Sequence, residues 1–259
     1  QPGTSPICHY SDAPGAKSVT LPGRVTAVLE RVGGDAVEDA CTIHVRDGRG
    51  REIFSGEGFG TQVLDGVARD LDGDGVPDVI VGVDSGGGNR CCWQYTVLRL
   101  GARPRKLVDL GFAPWLRDDP SGGLVLVEYA PFYGLLGMSM AESPTITRVH
   151  RLVAGRLTEI TASYCPTLLS PTVTGWASRA DEWAQVTPAK TAASRTARDP
   201  DVDVLGTRAA ATSLALQLEY CGRAADAAAM VRDVWPADRA VEVLDAVTHA
   251  AGSLTRPRR

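Results

Sequence analysis

Four aspartates fall within nine residues in the string Asp70-Leu71-Asp72-Gly73-Asp74-Gly75-Val76-Pro77-Asp78. Carboxylates at the first, third, fifth and ninth places, with glycine at the sixth, match the way oxygen ligands wrap Ca²⁺. Alternate side chains converge on the ion, the glycine permits a sharp turn, and the carbonyl at the seventh place, Val76, adds an oxygen. Four carboxylates this close repel one another, and along the chain only Arg69 adjoins them. A bound dication removes that conflict. The bland alternative is a solvated acidic turn. An EF-hand also needs a bidentate Glu at the twelfth place and an exiting helix. Here the twelfth residue is Val81, inside a β-branched run, so the loop leads into a strand and is not an EF-hand.

The elements that must hold this loop are strands. From about Ser18 to Tyr164, short β-branched runs (24–30, 79–83, 96–100, 124–129 and 145–152) alternate with Gly, Pro and Asp clusters. A weak similarity recurs at intervals of about 45–51 positions, between Pro77–Val83 and Gly123–Tyr129 and between the hairpins that follow them. A fainter copy precedes them, and a period near 50 is that of blade-like four-stranded sheets. Three copies are too few for a closed propeller, which needs at least about four blades. After Cys165 the texture becomes Ala-rich and helical. Leu214, Leu218 and Cys221 share one face, as do Ala240, Leu244, Val247 and Ala251, and Gly222 stands where a helix would end. The fold expected is α+β. A mostly antiparallel β N-terminal domain of blade-like hairpin repeats, open propeller-like or sandwich, spans 1–164, and a small helical domain follows over 165–259.

The nine-residue aspartate loop running into a strand resembles the calcium loop of FG-GAP and VCBS-type repeats, over about residues 67–100. The resemblance implies a structural Ca²⁺ held by Asp70, Asp72, Asp74, the Val76 carbonyl and Asp78, chiefly rigidifying an extracellular β scaffold. Just downstream, Asp84-Ser85-Gly86-Gly87-Gly88-Asn89-Arg90-Cys91-Cys92-Trp93 resembles a Ser-Gly-Gly-x-x-Cys-Cys-aromatic stretch of uncharacterised bacterial exported proteins.

Cysteine usage speaks to compartment. Six cysteines (Cys8, Cys41, Cys91, Cys92, Cys165 and Cys221) with no paired C-x-x-C and only four histidines argue against structural zinc and for disulfides, hence export. The chain opens on Gln1-Pro2-Gly3 without a basic or apolar leader, so it is read as a mature secreted or periplasmic protein whose signal peptide has been removed. Adjacent Cα atoms lie about 3.8 Å apart, below the usual disulfide range. Cys91 and Cys92 therefore either form a strained vicinal bond or take different partners. Pairing of Cys8 with Cys41 in the first repeat, and of Cys165 with Cys221 at the domain junction, favours the vicinal bond and ties the helical domain on.

Other strings carry less. Gly137-Met138-Ser139-Met140-Ala141 with His249 downstream is similar to a nucleophile elbow, but no βαβ alternation surrounds it. Asp84-Ser85-Gly86 cannot be a chymotrypsin-type serine, because too little chain precedes it for two barrels. Asp199-Pro200-Asp201-Val202-Asp203 lacks the glycine of a calcium loop and places negative charge ahead of a helix near Leu205.

With 259 residues, 44% hydrophobic, 22% charged and a net charge of −4, the chain is a globular protein without a global basic field for nucleic acid. No apolar run reaches the roughly 18 residues of a membrane span. The negative charge belongs to the β part. For recognition, the apolar stretch 129–140 offers Tyr129, Phe132 and Tyr133, with Trp93 as a further candidate, or else packs as core under the helices. The function expected is a non-catalytic binding or scaffold protein for a protein or glycan partner. The alternative is a hydrolase of an envelope or extracellular polymer, with Asp84, Glu128 or Glu142 as acid or base.

Overall fold

The computed structural model describes residues 6–32, 40–64, 68–86, 92–138, 143–169, 202–235 and 237–254. The fold is α+β, with antiparallel sheets up to Glu159 and helices beyond. After a short strand β1 (Ile7–His9), three antiparallel meanders follow in succession. The first is β2 (Gly15–Leu21), β3 (Val25–Val32), β4 (Ala40–Arg46) and β5 (Glu52–Gly58). The second is β6 (Gly60–Val63), β7 (Asp78–Asp84), β8 (Trp93–Arg99) and β9 (Arg105–Leu110), and β1 adds a fifth strand beside β6. The third is β10 (Pro114–Asp118), β11 (Leu124–Pro131), β12 (Thr145–Val153) and β13 (Arg156–Glu159). Within each meander neighbours are consecutive in the chain, and among the described residues no closed barrel forms.

The chain divides into two compact units, residues 1–128 with 149–159 and residues 129–148 with 160–259. In the first unit, β3 and β4 alternate as half-buried strands do. Val25, Ala27, Leu29, Cys41, Ile43 and Val45 point into one core while their neighbours are more open. β7 is different. Val79 and Val81 join that core, whereas Ile80 joins a second with Tyr95, Val97, Leu110, Leu126 and Leu152. The middle sheet is buried on both faces, which is why Val79–Val83 reads as a continuous apolar run. The approach of β5 to β7 is close enough to demand glycine. A Cβ on Gly58 would stand 2.1 Å from the Asp84 carbonyl oxygen.

In the second unit, α1 (Thr161–Leu168), α2 (Val202–Tyr220), α3 (Ala224–Val234) and α4 (Ala237–Leu254) supply the helices. Ala215, Leu216, Val231, Ala240, Val243 and Val247 build its core with Ala130 and Ile146, and Phe132, Leu135 and Leu136 pack against them. α2 ends in a Schellman motif. Gly222 is left-handed (φ 74°), its N–H bonds to the Glu219 carbonyl at 3.0 Å, and the Arg223 N–H bonds to the Leu218 carbonyl at 2.8 Å.

The same helix completes a strand edge. The Pro144 carbonyl accepts from the Phe132 N–H on one side, so the N–H groups of Thr145 and Thr147 point to the other, where β13 reaches only back to His150. Ser213 Oγ accepts from Thr145 at 3.0 Å, and Gln217 Oε1 accepts from Thr147 at 2.7 Å, one helical turn apart.

Two expectations about the junction need correction. The change of texture at Cys165 does not mark the division, because 129–148 sends Ala130, Phe132, Leu135, Leu136 and Ile146 into the helical core. The Cys165–Cys221 bridge does not tie β part to helices. Cys165 lies inside α1 and Cys221 in the turn after α2, so it joins helix to helix within the second unit.

Candidate functional site

The aspartate loop springs from the connection between β6 and β7. Its neck is closed by an isolated bridge. The Arg69 N–H donates to the Asp78 carbonyl at 2.9 Å, and the Asp78 N–H donates to the Arg69 carbonyl at 2.7 Å. Leu71 is buried in the second core and anchors the loop from within. Gly73 (φ 77°) and Gly75 (φ 82°) both adopt the left-handed backbone that lets so short a loop coil on itself.

Inside the coil the carboxylates take separate tasks. Asp70 Oδ1 accepts from the N–H groups of Gly73 (2.8 Å) and Asp74 (3.1 Å), and Oδ2 accepts from Gly75 (2.8 Å). Asp74 Oδ1 accepts from Val76 N–H at 2.9 Å, and its other oxygen forms an ion pair with Arg99 of β8. Asp78, 1% exposed, accepts from Leu71 N–H through Oδ2 at 3.0 Å. Its Oδ1 is buried without a hydrogen-bond partner, and so are both carboxylate oxygens of Asp72. Unpaired buried polar oxygens are rare because each forfeits its hydration, so they call for a ligand.

One oxygen from each of Asp70, Asp72 and Asp78 lies within 4.8 Å of the others, the one such group among the described residues. At that separation, with an effective dielectric near 20, each pair of charges repels by about 3 kcal/mol. Burial, followed by the charges of Asp72 and Asp70, pushes the Asp78 carboxyl up to about 6. The donor set is hard oxygen throughout, without thiolate or imidazole, which suits calcium better than zinc.

Of the five residues expected around the ion, three carboxylates converge and Asp74 turns to Arg99. Arg99 was not legible as a member of the site. It becomes one because the β7–β8 register sets it opposite Asp78, 21 positions away in the chain.

The remaining candidates are scattered among other roles. A disulfide joins Cys8 to Cys41, and Cys92 is disulfide-bonded, while Cys91 lies outside the described residues. In the first unit, Trp93 stacks on Tyr95 with ring centroids 5.8 Å apart. In the second, Tyr129 and Tyr133 are exposed, whereas Phe132 packs against the helical core. Asp84 Oδ1 accepts from Gly86 N–H at 3.0 Å.

Glu128 is buried, with Oε2 2.8 Å from His150 Nε2, and the imidazole stacks on Phe112 at 4.6 Å. That pairing bridges β11 and β12, and nothing in the spacing of the histidines announced it. Ser139, Met140, Glu142, Asp199 and Asp201 lie outside the described residues. His249 is exposed on α4. Asp203 falls inside α2, which begins before the Leu205 start expected from sequence. Among the described residues no helix is long and apolar enough to cross a membrane.

No family model matches the chain, and no curated protein or solved structure matches it either.

Proposed function

We propose that the chain is an exported, non-catalytic binding or scaffold protein whose β framework is stabilised by one structural Ca²⁺ and presents its loops to a protein or a glycan. The observation that carries this reading is the set of buried, orphaned carboxylate oxygens, two on Asp72 and one on Asp78, gathered with the half-buried Asp70 in an all-oxygen cluster. Asp70, Asp72 and Asp78 would hold the ion, with Asp74 and the Val76 carbonyl completing the oxygen set. The metal would supply charge compensation at the point where β7 enters both cores, which is a structural task. The FG-GAP and VCBS-type resemblance of the loop points the same way. The Cys8–Cys41 and Cys165–Cys221 disulfides fit an oxidising compartment, and with it export to the periplasm or beyond.

A polymer hydrolase would place paired acids across an open cleft. Glu128 instead bonds to His150 with both side chains buried, and Asp84 bonds its own loop. These arrangements weigh towards binding. The test is a melting curve in calcium and in chelator, run beside an assay for cleavage of envelope polysaccharide and peptidoglycan. Higher melting in calcium, with the polymers intact, is expected. Melting that ignores calcium would remove the metal from the reading. Cleavage abolished by Glu128→Gln would replace binding with hydrolysis.

A further inference from the structure

Asp74 holds the fifth place of the loop, where alternate side chains should converge on the ion, yet it is absent from the converging group. The reason lies on the next strand. Leu98 and Leu100 are fully buried and fix the end of β8, while the Leu100 N–H bonds to the Pro77 carbonyl at 2.9 Å. Val76 packs against the backbone just beyond, so closely that a Cβ on Gly101 would stand 2.6 Å from its Cγ1. The loop is therefore docked along the end of β8, and Arg99 reaches the Asp74 carboxylate from that wall with only 20% of its side chain exposed. A half-buried cation holding the fifth carboxylate stands in the way of a cation seeking the same oxygens. The unpartnered, buried Oδ1 of Asp78 shows separately that the adjacent cluster is built for a ligand.

We infer that Arg99 sets the calcium affinity of this loop by competing with the metal for Asp74. With calcium absent, Arg99 holds Asp74 and leaves three converging carboxylates. When calcium binds, Asp74 passes from the guanidinium to the ion, so the free energy of the ion pair is subtracted from that of binding. Arg99 is a positioning residue here and never a ligand. The inference rests on the calcium reading above.

The test is isothermal titration with calcium alone, on the full chain. Wild-type protein that binds no calcium would overturn the calcium reading itself. If wild type binds, Arg99→Met should bind roughly three- to fivefold tighter, the equivalent of one partly exposed ion pair. Asp74→Asn should bind more weakly than wild type, and adding Arg99→Met to it should produce no further tightening. Unchanged or weaker binding by Arg99→Met overturns the inference while leaving the calcium site intact. Equal tightening with and without Asp74 also overturns it, because Arg99 would then act only through its field. Should Arg99→Met fail to fold, the guanidinium NMR signal of Arg99 in wild type decides. Slow, paired side-chain exchange in chelator that becomes fast in calcium is expected, and a signal indifferent to calcium refutes the competition.

Discussion

Replacing Asp72 by asparagine should invert the order of stability of variant and wild type between chelator and calcium. Its two carboxylate oxygens are buried and unpartnered, and one of them lies within 4.8 Å of an oxygen on each of Asp70 and Asp78. The asparagine is nearly isosteric and deletes two of the three pairwise repulsions, each about 3 kcal/mol at an effective dielectric near 20. Loop relaxation and water entry dissipate much of the repulsion already, so a gain of about 2 kcal/mol in chelator is expected. In calcium at a hundredfold its Kd, wild type gains about 2.7 kcal/mol from binding, which the variant loses. For a chain of this size 1 kcal/mol moves the Tm by about 2–4 °C. Asp72→Asn should therefore melt about 4–8 °C above wild type in chelator and fall below it in saturating calcium. Differential scanning fluorimetry at pH 7 reads both. A variant that melts lower than wild type in chelator would show that repulsion does not govern the empty loop. Equal calcium responses in the two proteins would show that the metal, if bound, sits elsewhere.

Two further substitutions probe the frame rather than the loop. Gly58→Ala puts a Cβ against the Asp84 carbonyl, where only backbone can yield, so urea denaturation should show a loss of about 3 kcal/mol with an unchanged m-value. Gln217→Leu leaves the Thr147 N–H without its acceptor beside α2. It should cost about 1–3 kcal/mol and speed hydrogen exchange at that amide, whereas Gln217→Glu, which keeps an acceptor, should retain most of the protection.

The loop and the strands were legible in the sequence for the same reason: their determinants are local. Asp70, Asp72, Asp74 and Asp78 are neighbours along the chain, and the β-branched runs that became β3, β7, β8, β11 and β12 declare themselves within a few residues. What escaped reading depends on pairing across strands. Arg99 enters the site through the register of β7 with β8, and Glu128 meets His150 only once β11 lies beside β12. For residues 129–140 the sequence leaves recognition and packing under the helices both open, and Phe132, Leu135 and Leu136 pack against the helical core. These three look the same in sequence whether they serve recognition or packing, and only a partner element decides. The change of texture after Cys165 does not reveal α1, because Thr161–Leu168, with Pro166 inside it, carries little helical periodicity.

The placement of β1 has a consequence for how the molecule assembles and comes apart. Residues 7–9 pair with residues 60–62, so the whole first meander lies inside the closure they make. As the chain folds, β2 to β5 can zip together through local hairpins, but β1 must wait for β6. Cys8–Cys41 then bolts β1, an edge strand of the second sheet, to β4 of the first. Stacked modules that touch only their neighbours unravel from the ends, one at a time. Here β1 is committed to the second sheet and staked to the first. The two sheets should consequently be lost in a single concerted event, with no separate release of β1 while the bolt is intact.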